Sequence, residues 1–209
     1  MYGKGLITKS KRGMKSIAIF VVLAFTVLAE PKVTVKALVE SYCPDCIYFT
    51  ANDLLQLTQI EEMMAITDLE IVPYGKAHIV SRDPPAFTCQ HGEKECYGNK
   101  VELCSLAYYP KNGLNMMNCM QKHIAFDDDT IAECAKMEQV DAAPIIDCAK
   151  GVEGNNLMLY AGDLTPTLSY VPSIIVNGEL HSDVENIIQY ICDAYTGEKP
   201  SVCKTSLRH

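Results

Sequence analysis

Two cysteines separated by two residues are the feature of this 209-residue chain that most directly indicates chemistry. Cys43 and Cys46 enclose Pro44 and Asp45, and they follow the apolar run Val33–Val39. Cysteines at this spacing can close a small disulfide ring that is readily reduced. We therefore predict a redox-active pair, with Cys43 pointing outward as the nucleophile and Cys46 behind it as the resolving thiol.

The segments on either side of the pair are predicted to position it. The β-branched residues of 33–39 indicate a buried strand, and the helical spacing of apolar residues in 47–64 indicates an amphipathic helix. Cys43 then lies at a strand-to-helix turn, where free N–H groups and the helix dipole favour a thiolate. Pro44 suits the first helical turn because it has no N–H to leave unpaired.

Asp45 has two possible roles. An ionised carboxylate beside Cys43 disfavours the thiolate, which lowers the reduction potential and favours reduction of substrates. Alternatively, Asp45 only supports the start of the helix.

A zinc site is the alternative interpretation of such a cysteine pair. It requires a second ligand pair at similar spacing, and the intervals from Cys89 to Cys96 and from Cys96 to Cys104 do not supply one. We expect neither a metal nor an organic cofactor.

The first 29 residues are predicted to be a secretory signal peptide. Basic residues precede an apolar stretch of about 12 residues, which ends at a small-residue cleavage site, and a membrane span needs about 20. Residues 30–209 are then predicted to be the mature, single-domain chain, which we expect to have no membrane association.

The mature chain is predicted to be strongly acidic. The full sequence has 18 basic and 26 acidic residues, and residues 1–29 contain five of the basic and none of the acidic ones, which leaves a net charge of −13. Such a charge repels nucleic acid and anionic membranes, so we expect neither as a partner.

All ten cysteines lie in the mature chain, and an even number in a secreted protein indicates disulfides. We predict a bridge between Cys192 and Cys203, which would attach the last helix to the C-terminal tail. The pairing of the other six remains open.

The order of elements predicts an α/β protein with a thioredoxin-like fold and an inserted, cysteine-bearing helical block at about 98–168. A second strand with a break at residues 73–75 is predicted over 70–80. Asn177-Gly178 predicts a hairpin turn between the strands 171–176 and 179–181. The predicted helices are 98–109, 114–124, 127–140, 142–150 and 184–195.

Pro172 is predicted to belong to the site. It opens a buried strand just before a hairpin, where thioredoxin-like proteins hold a cis-proline against the cysteine pair. The alternative is an ordinary trans-proline at the start of a strand.

Residues 89–104, CQHGEKECYGNKVELC, match every fixed position of the pattern CQHGxxECxxNxxxxC. In this segment the chain resembles the gamma-interferon-inducible lysosomal thiol reductase (GILT) family. The resemblance implies reduction of disulfides in unfolding proteins at acidic pH, with Cys43, Cys46 and Pro172 as the catalytic residues. It also implies disulfide-containing unfolded proteins as substrates and a small-molecule thiol as the reductant.

The 89–104 segment is itself interpreted first as scaffold. Its cysteines can attach the loop to the helical block, and Asn99 is predicted to cap the following helix. His91 is either a proton donor near the thiols, a surface contact, or neither.

Two other functions use the same residues: a disulfide oxidase or isomerase of the secretory pathway, and a secreted binding module in which the cysteine pair is only structural. The chain contains no Asn-x-Ser/Thr sequence, so it offers no N-glycan for sorting. Both a lysosomal or endosomal and a secreted destination stay open.

Overall fold

A four-stranded sheet forms the centre of the molecule. The computed structural model describes residues 31–206, so the predicted signal peptide lies outside the described residues. The sheet has the order β2-β1-β5-β6, in which β1 pairs parallel with β2 and antiparallel with β5. Its strands are β1 (Val33–Val39), β2 (Thr67–Pro73), β5 (Ser173–Val176) and β6 (Glu179–His181).

Helices pack on the sheet, and several of them form the part of the chain between strands β2 and β5. A π-helical turn, Thr50–Leu54, connects the first two helices, and a 3-10 turn, Val184–Asn186, precedes the ninth. The helices are α1 (Pro44–Phe49), α2 (Leu55–Gln59), α3 (Glu61–Ile66), α4 (Glu93–Tyr108), α5 (Gly113–His123), α6 (Asp128–Glu138), α7 (Ala143–Lys150), α8 (Val152–Leu164), α9 (Ile187–Ala194) and α10 (Ser201–Ser206).

Strand β1 lies inside the sheet, between β2 and β5, and the residues on one of its faces are all apolar and buried. Val35, Ala37 and Val39 are buried in a core that Phe49 and Ile191 also enter. A second core lies within the helical block α4–α8 and contains Met116, Met120, Ile131 and Ile145 among its buried residues. The fold is thus thioredoxin-like, with the helical block α4–α8 inserted along the chain between strands β2 and β5.

The prediction that residues 70–80 form one broken strand is wrong for its second half. Strand β2 ends at Pro73, and residues 78–82 form β3 (His78–Arg82) in a separate hairpin with β4 (Pro85–Thr88). Gly75 causes the change of direction: its φ is +57°, and a Cβ there would lie 2.3 Å from a carboxylate oxygen of Glu40. Only glycine combines that conformation with so close an approach.

Other differences are smaller. The helix predicted over 47–64 is interrupted at Ile60, whose backbone is extended (φ −92°, ψ 97°). The helical block begins at Glu93, five residues before the predicted start, and includes α8, which was not predicted. The hairpin turn at Asn177-Gly178 is confirmed, with both residues at positive φ.

Candidate redox site

Cys43 and Cys46 lie where β1 passes into α1. Cys43 occupies the N-cap position with an extended backbone (φ −80°, ψ 121°), and Pro44 is the first helical residue, as predicted. The Cys43 side chain is only 7 % exposed, so it is less outward than predicted, but Cys46 is completely buried. Both are free thiols. The order of accessibility still fits a nucleophile at Cys43 and a resolving thiol at Cys46.

The two thiols have opposite acidities. A hydrogen bond from the Cys46 thiol, helped by the backbone N–H groups of Cys46 and Asp45, lowers the pKa of Cys43 to about 6, against the opposing effect of burial. The charge of Asp45 also raises this pKa, which is the predicted sign but the smallest of these effects. Burial raises the pKa of Cys46 far above its ordinary value.

Val171 and Pro172 face the thiols from the other side of the site. The peptide bond between them is cis, which confirms the predicted isomer of Pro172. The Sγ atom of Cys43 lies 3.9 Å from the carbonyl oxygen of Val171. A cavity of about 570 Å³ opens beside this pair, with the exposed rings of Tyr48 and Tyr170 in its lining. The cavity gives access to the Pro172 side of the site.

The 89–104 segment holds the chain immediately before the cysteine pair. Asn99 is buried inside α4 and its Oδ1 accepts a hydrogen bond from the Ser41 backbone N–H at 2.9 Å, so the prediction that Asn99 caps this helix is wrong. The Ser41 hydroxyl donates to the backbone carbonyl of Glu95 at 3.3 Å. Adding a Cβ at Gly98 would place it 2.5 Å from the Ser41 hydroxyl oxygen. The segment thereby fixes the position of the turn that carries Cys43.

His91 is also directed to this turn. Its Nδ1 atom pairs with the Glu95 carboxylate and lies 3.7 Å from Oε1 of Glu40. Glu40 is fully buried and precedes Cys43 by three residues. Glu40 and Glu95 were not predicted to belong to the site. The only sequence signal for Glu40 is a carboxylate directly after a buried apolar strand.

The other eight cysteines form disulfides. The predicted Cys192–Cys203 bridge is confirmed. Cysteines 89, 96 and 104 are all bonded and cannot complete a zinc site. The remaining bridges are Cys89–Cys96, Cys104–Cys148 and Cys119–Cys134.

Within residues 31–206, two groups of three side chains bring potential metal ligands together. Cys119 and Cys134 lie close to His123, but their sulfurs are bonded to each other. Glu40, His91 and Glu95 form the second group, in which Nδ1 of His91 pairs with the Glu95 carboxylate. No group found in the described part of the chain includes Cys43 or Cys46.

Alkylation of Cys43 should show a half-maximal rate near pH 6. Iodoacetamide reacts with the thiolate, and a thiol with the pKa of Cys43, about 6, is about one-tenth ionised at pH 5. Mass spectrometry of the tryptic peptides after timed labelling from pH 4 to pH 10 measures this midpoint.

The unfolded chain is the control for this alkylation experiment, because it should give a midpoint near about 8.5, the ordinary value for cysteine. A midpoint near 8.5 in the folded protein would show that the turn does not stabilise the thiolate.

Solved structures of low sequence identity share this fold. BdbD from Bacillus subtilis superimposes with a TM-score of 0.57 at 13 % identity, covering 76 % of this chain and 85 % of BdbD. The oxidoreductase DsbA from Xylella fastidiosa gives a TM-score of 0.53 at 17 % identity, covering 77 % of this chain and 84 % of DsbA. These superpositions show a thioredoxin-like fold.

Relatives at higher identity define the family. The profile of the family described as gamma interferon inducible lysosomal thiol reductase (GILT) matches residues 34–138. The gamma-interferon-inducible lysosomal thiol reductase of Carassius auratus is 33 % identical over 191 residues, covering 84 % of this chain and 74 % of the relative. The Mus musculus protein of the same name is 32 % identical, with 84 % and 73 % covered. The chain belongs to the GILT family.

Proposed function

We propose that this protein reduces disulfide bonds of unfolding proteins in an acidic compartment, with Cys43 as nucleophile, Cys46 as resolving thiol and Pro172 as part of the substrate-binding surface. The observation that carries the proposal is a free thiol whose pKa is lowered to about 6, beside a cis-proline, in a chain whose eight other cysteines are bonded. Family membership supports the same chemistry.

The reaction has two exchange steps. The Cys43 thiolate attacks one sulfur of the substrate disulfide, forms a mixed disulfide and releases the other substrate sulfur as a thiolate. Cys46 then loses its proton and attacks Cys43, which releases the second substrate thiolate and closes the Cys43–Cys46 disulfide. A small-molecule thiol returns the pair to the dithiol in two similar exchanges.

The acidity of Cys43 is closer to that of a reductant of this fold than to that of an oxidant. A more acidic nucleophile stabilises the reduced form and makes the enzyme a stronger oxidant. The Cys43 pKa of about 6 is close to the value of about 7 for thioredoxin, a reductant, and far from about 3.5 for DsbA, an oxidant. The charge of Asp45 acts in the reducing direction.

Acidic conditions suit the buried carboxyl groups. Burial raises the pKa of Glu102 to about 8 and that of Glu40 to about 7, so both are mostly neutral at pH 5. A group with a raised folded-state pKa stabilises the fold below its unfolded value, near 4.5, and this contribution is lost as pH rises to 7–8.

The names of the relatives specify lysosomal thiol reductases, and we propose delivery of this protein to that compartment or its secretion. Within residues 31–206, no helix has the length and apolar character needed to cross a membrane. Removal of residues 1–29 as a signal peptide and a mature domain over 30–209 remain part of the proposal.

Unfolded substrates should be turned over at least about tenfold faster than the same proteins in native form. The surface beside Pro172 can receive an extended strand of the substrate by backbone pairing. Cys43 is itself only 7 % exposed, so it cannot reach a disulfide that is buried in the core of a folded substrate. Release of thiols from denatured and native ribonuclease A at pH 5, with a monothiol reductant, measures the ratio.

Equal rates on native and unfolded ribonuclease would contradict this substrate class. Equilibration of the Cys43–Cys46 pair against glutathione distinguishes the oxidase alternative: a potential near about −120 mV, as in DsbA, would contradict a reductase.

A further inference from the structure

Glu40 is a fully buried carboxylic acid directly behind the redox turn. Its Oε2 accepts a hydrogen bond from the backbone N–H of Lys76 at 3.0 Å. Its Oε1 receives no hydrogen bond from any residue in the described range 31–206. A buried polar atom without a partner is unfavourable, and such atoms concentrate where a protein uses them. The free oxygen of Glu40 therefore needs a functional explanation.

The backbone of Glu40 contacts both cysteines. Its carbonyl oxygen accepts a hydrogen bond from the Cys43 N–H at 3.4 Å, and its peptide group is hydrogen-bonded to the Cys46 sulfur. The Glu40 side chain also interacts electrostatically with both thiols. Glu40 therefore contacts the redox pair through its backbone and acts on both thiols through the charge of its side chain.

Four titratable side chains act on the Glu40 carboxyl group. Burial is the main reason that its pKa is raised to about 7, and the charges of Glu95 and Cys43 raise it further, while the Lys76 N–H and the charge of His91 lower it. Cys46 is the fourth group, because its pKa responds to Glu40 in turn.

His91 connects this buried group to the solvent. Its side chain is 34 % exposed, whereas the glutamates on either side of it are completely buried. Nδ1 lies 3.7 Å from the free Oε1 of Glu40. The Glu95 carboxylate holds the ring through Nδ1 and also accepts the His91 backbone N–H at 3.0 Å. The Cys89–Cys96 disulfide closes the loop that carries His91.

The second exchange step requires a path by which the proton of the Cys46 thiol reaches the solvent. Cys46 is completely buried, and burial keeps it protonated, yet it must become a thiolate to attack the mixed disulfide. Bulk water cannot reach its sulfur to accept the proton.

We propose that Glu40 accepts the proton of the Cys46 thiol during this step and that His91, held by Glu95, exchanges the proton with solvent. The inference rests on the proposed function. As the Cys46 S–H bond breaks, the proton passes to the Glu40 carboxylate and the Cys46 sulfur bonds to the Cys43 sulfur. The bond between Cys43 and the substrate sulfur breaks with its electron pair on the departing thiolate. The proton then leaves through the His91 ring.

Formation of the mixed disulfide on Cys43 favours the transfer of the proton to Glu40. In the mixed disulfide Cys43 carries no charge, so the repulsion that raises the pKa of Glu40 is removed and the carboxylate is more available. The rate of resolution should rise with pH through a midpoint at or below about 7, because only the ionised fraction of Glu40, a minority at pH 5, acts as the base.

The test separates the two exchange steps with glutathione disulfide as the probe. Reduced full-length protein is mixed with an excess of it, quenched in acid at intervals, and analysed by mass spectrometry for the glutathione adduct on Cys43. Glu40→Gln preserves the shape of the side chain and an acceptor for the Lys76 N–H but removes the base. It should slow adduct decay at pH 7 at least about tenfold and abolish the pH midpoint.

Glu102→Gln is the matched control. Glu102 is another fully buried glutamate with a raised pKa, and like Glu40 it has one bonded oxygen, which accepts from Gln121 at 2.8 Å, and one oxygen without a partner among residues 31–206. Unlike Glu40, it is not among the groups that act on the Cys43 or Cys46 thiol. This variant should resolve the adduct within about twofold of the wild-type rate. A Glu40→Gln rate within twofold of wild type with the midpoint intact overturns the proposal. A wild-type protein that forms no adduct on Cys43 contradicts the proposed function instead.

His91→Gln decides the question if Glu40→Gln does not fold. Slower adduct decay that added imidazole restores supports the route through His91, because imidazole replaces the missing proton carrier. An unchanged rate, or a slower rate that imidazole does not restore, overturns it.

Discussion

Replacing Cys43 with serine should lower disulfide reduction by at least about a thousandfold, to the level of the uncatalysed exchange with the monothiol reductant. A serine hydroxyl remains protonated at the pH where the Cys43 thiol, with its pKa of about 6, is substantially ionised. The remaining Cys46 thiol cannot substitute because it is completely buried and its pKa is raised. Release of thiols from denatured ribonuclease at pH 5 measures the loss.

Cys46→Ser is the companion variant and should behave differently. Its Cys43 still attacks substrate, but nothing resolves the mixed disulfide, so substrate remains attached to Cys43. Adducts are identified by mass spectrometry after alkylation in acid. Stable adducts on Cys46 of the Cys43→Ser variant, and none on Cys43 of the Cys46→Ser variant, would reverse the assignment of the two roles.

Removing the Cys104–Cys148 disulfide should reduce the free energy of unfolding by about 4 kcal/mol. The bridge joins α4 to α7 across 44 residues. Closing a loop of that length lowers the conformational entropy of the unfolded chain, which is worth about 4 kcal/mol of free energy. The double variant Cys104→Ala/Cys148→Ala leaves no unpaired thiol, and its unfolding by urea at pH 5 gives the value.

Cys192→Ala/Cys203→Ala provides the comparison. Its shorter interval of 11 residues predicts a loss of about 3 kcal/mol. A loss below about 1 kcal/mol for the Cys104–Cys148 pair would show that the packing of the helical block, and not the bridge, holds α4 against α7.

The sequence predicts the redox turn well because its determinants are local. The apolar run 33–39, the paired cysteines and Pro44 specify a strand, an N-cap and a first helical turn within a dozen residues. The hairpin at Asn177-Gly178 is equally local, since both residues accept positive φ. These features agree with the structure almost residue by residue.

Tertiary contacts decide the features that the sequence does not predict. Helix α8 contains two glycines and is a weak helix former, but a Cβ at Gly154 would lie 2.6 Å from the Cys148 carbonyl oxygen and one at Gly162 would lie 2.8 Å from Ile79. Close packing, not propensity, selects glycine there. The approach of His91 to Glu40 similarly joins residues 51 positions apart, which no local pattern indicates.

The disulfides of the helical block are nested, since Cys119–Cys134 lies inside the interval that Cys104–Cys148 spans. Bridges formed in the order in which cysteines leave the ribosome would join Cys104 to Cys119 and then leave Cys134 to Cys148. The native arrangement requires Cys104 to wait for its partner through 44 residues of synthesis, or requires an early bridge to be exchanged later. The native pairing therefore cannot arise from joining cysteines in the order of their synthesis alone.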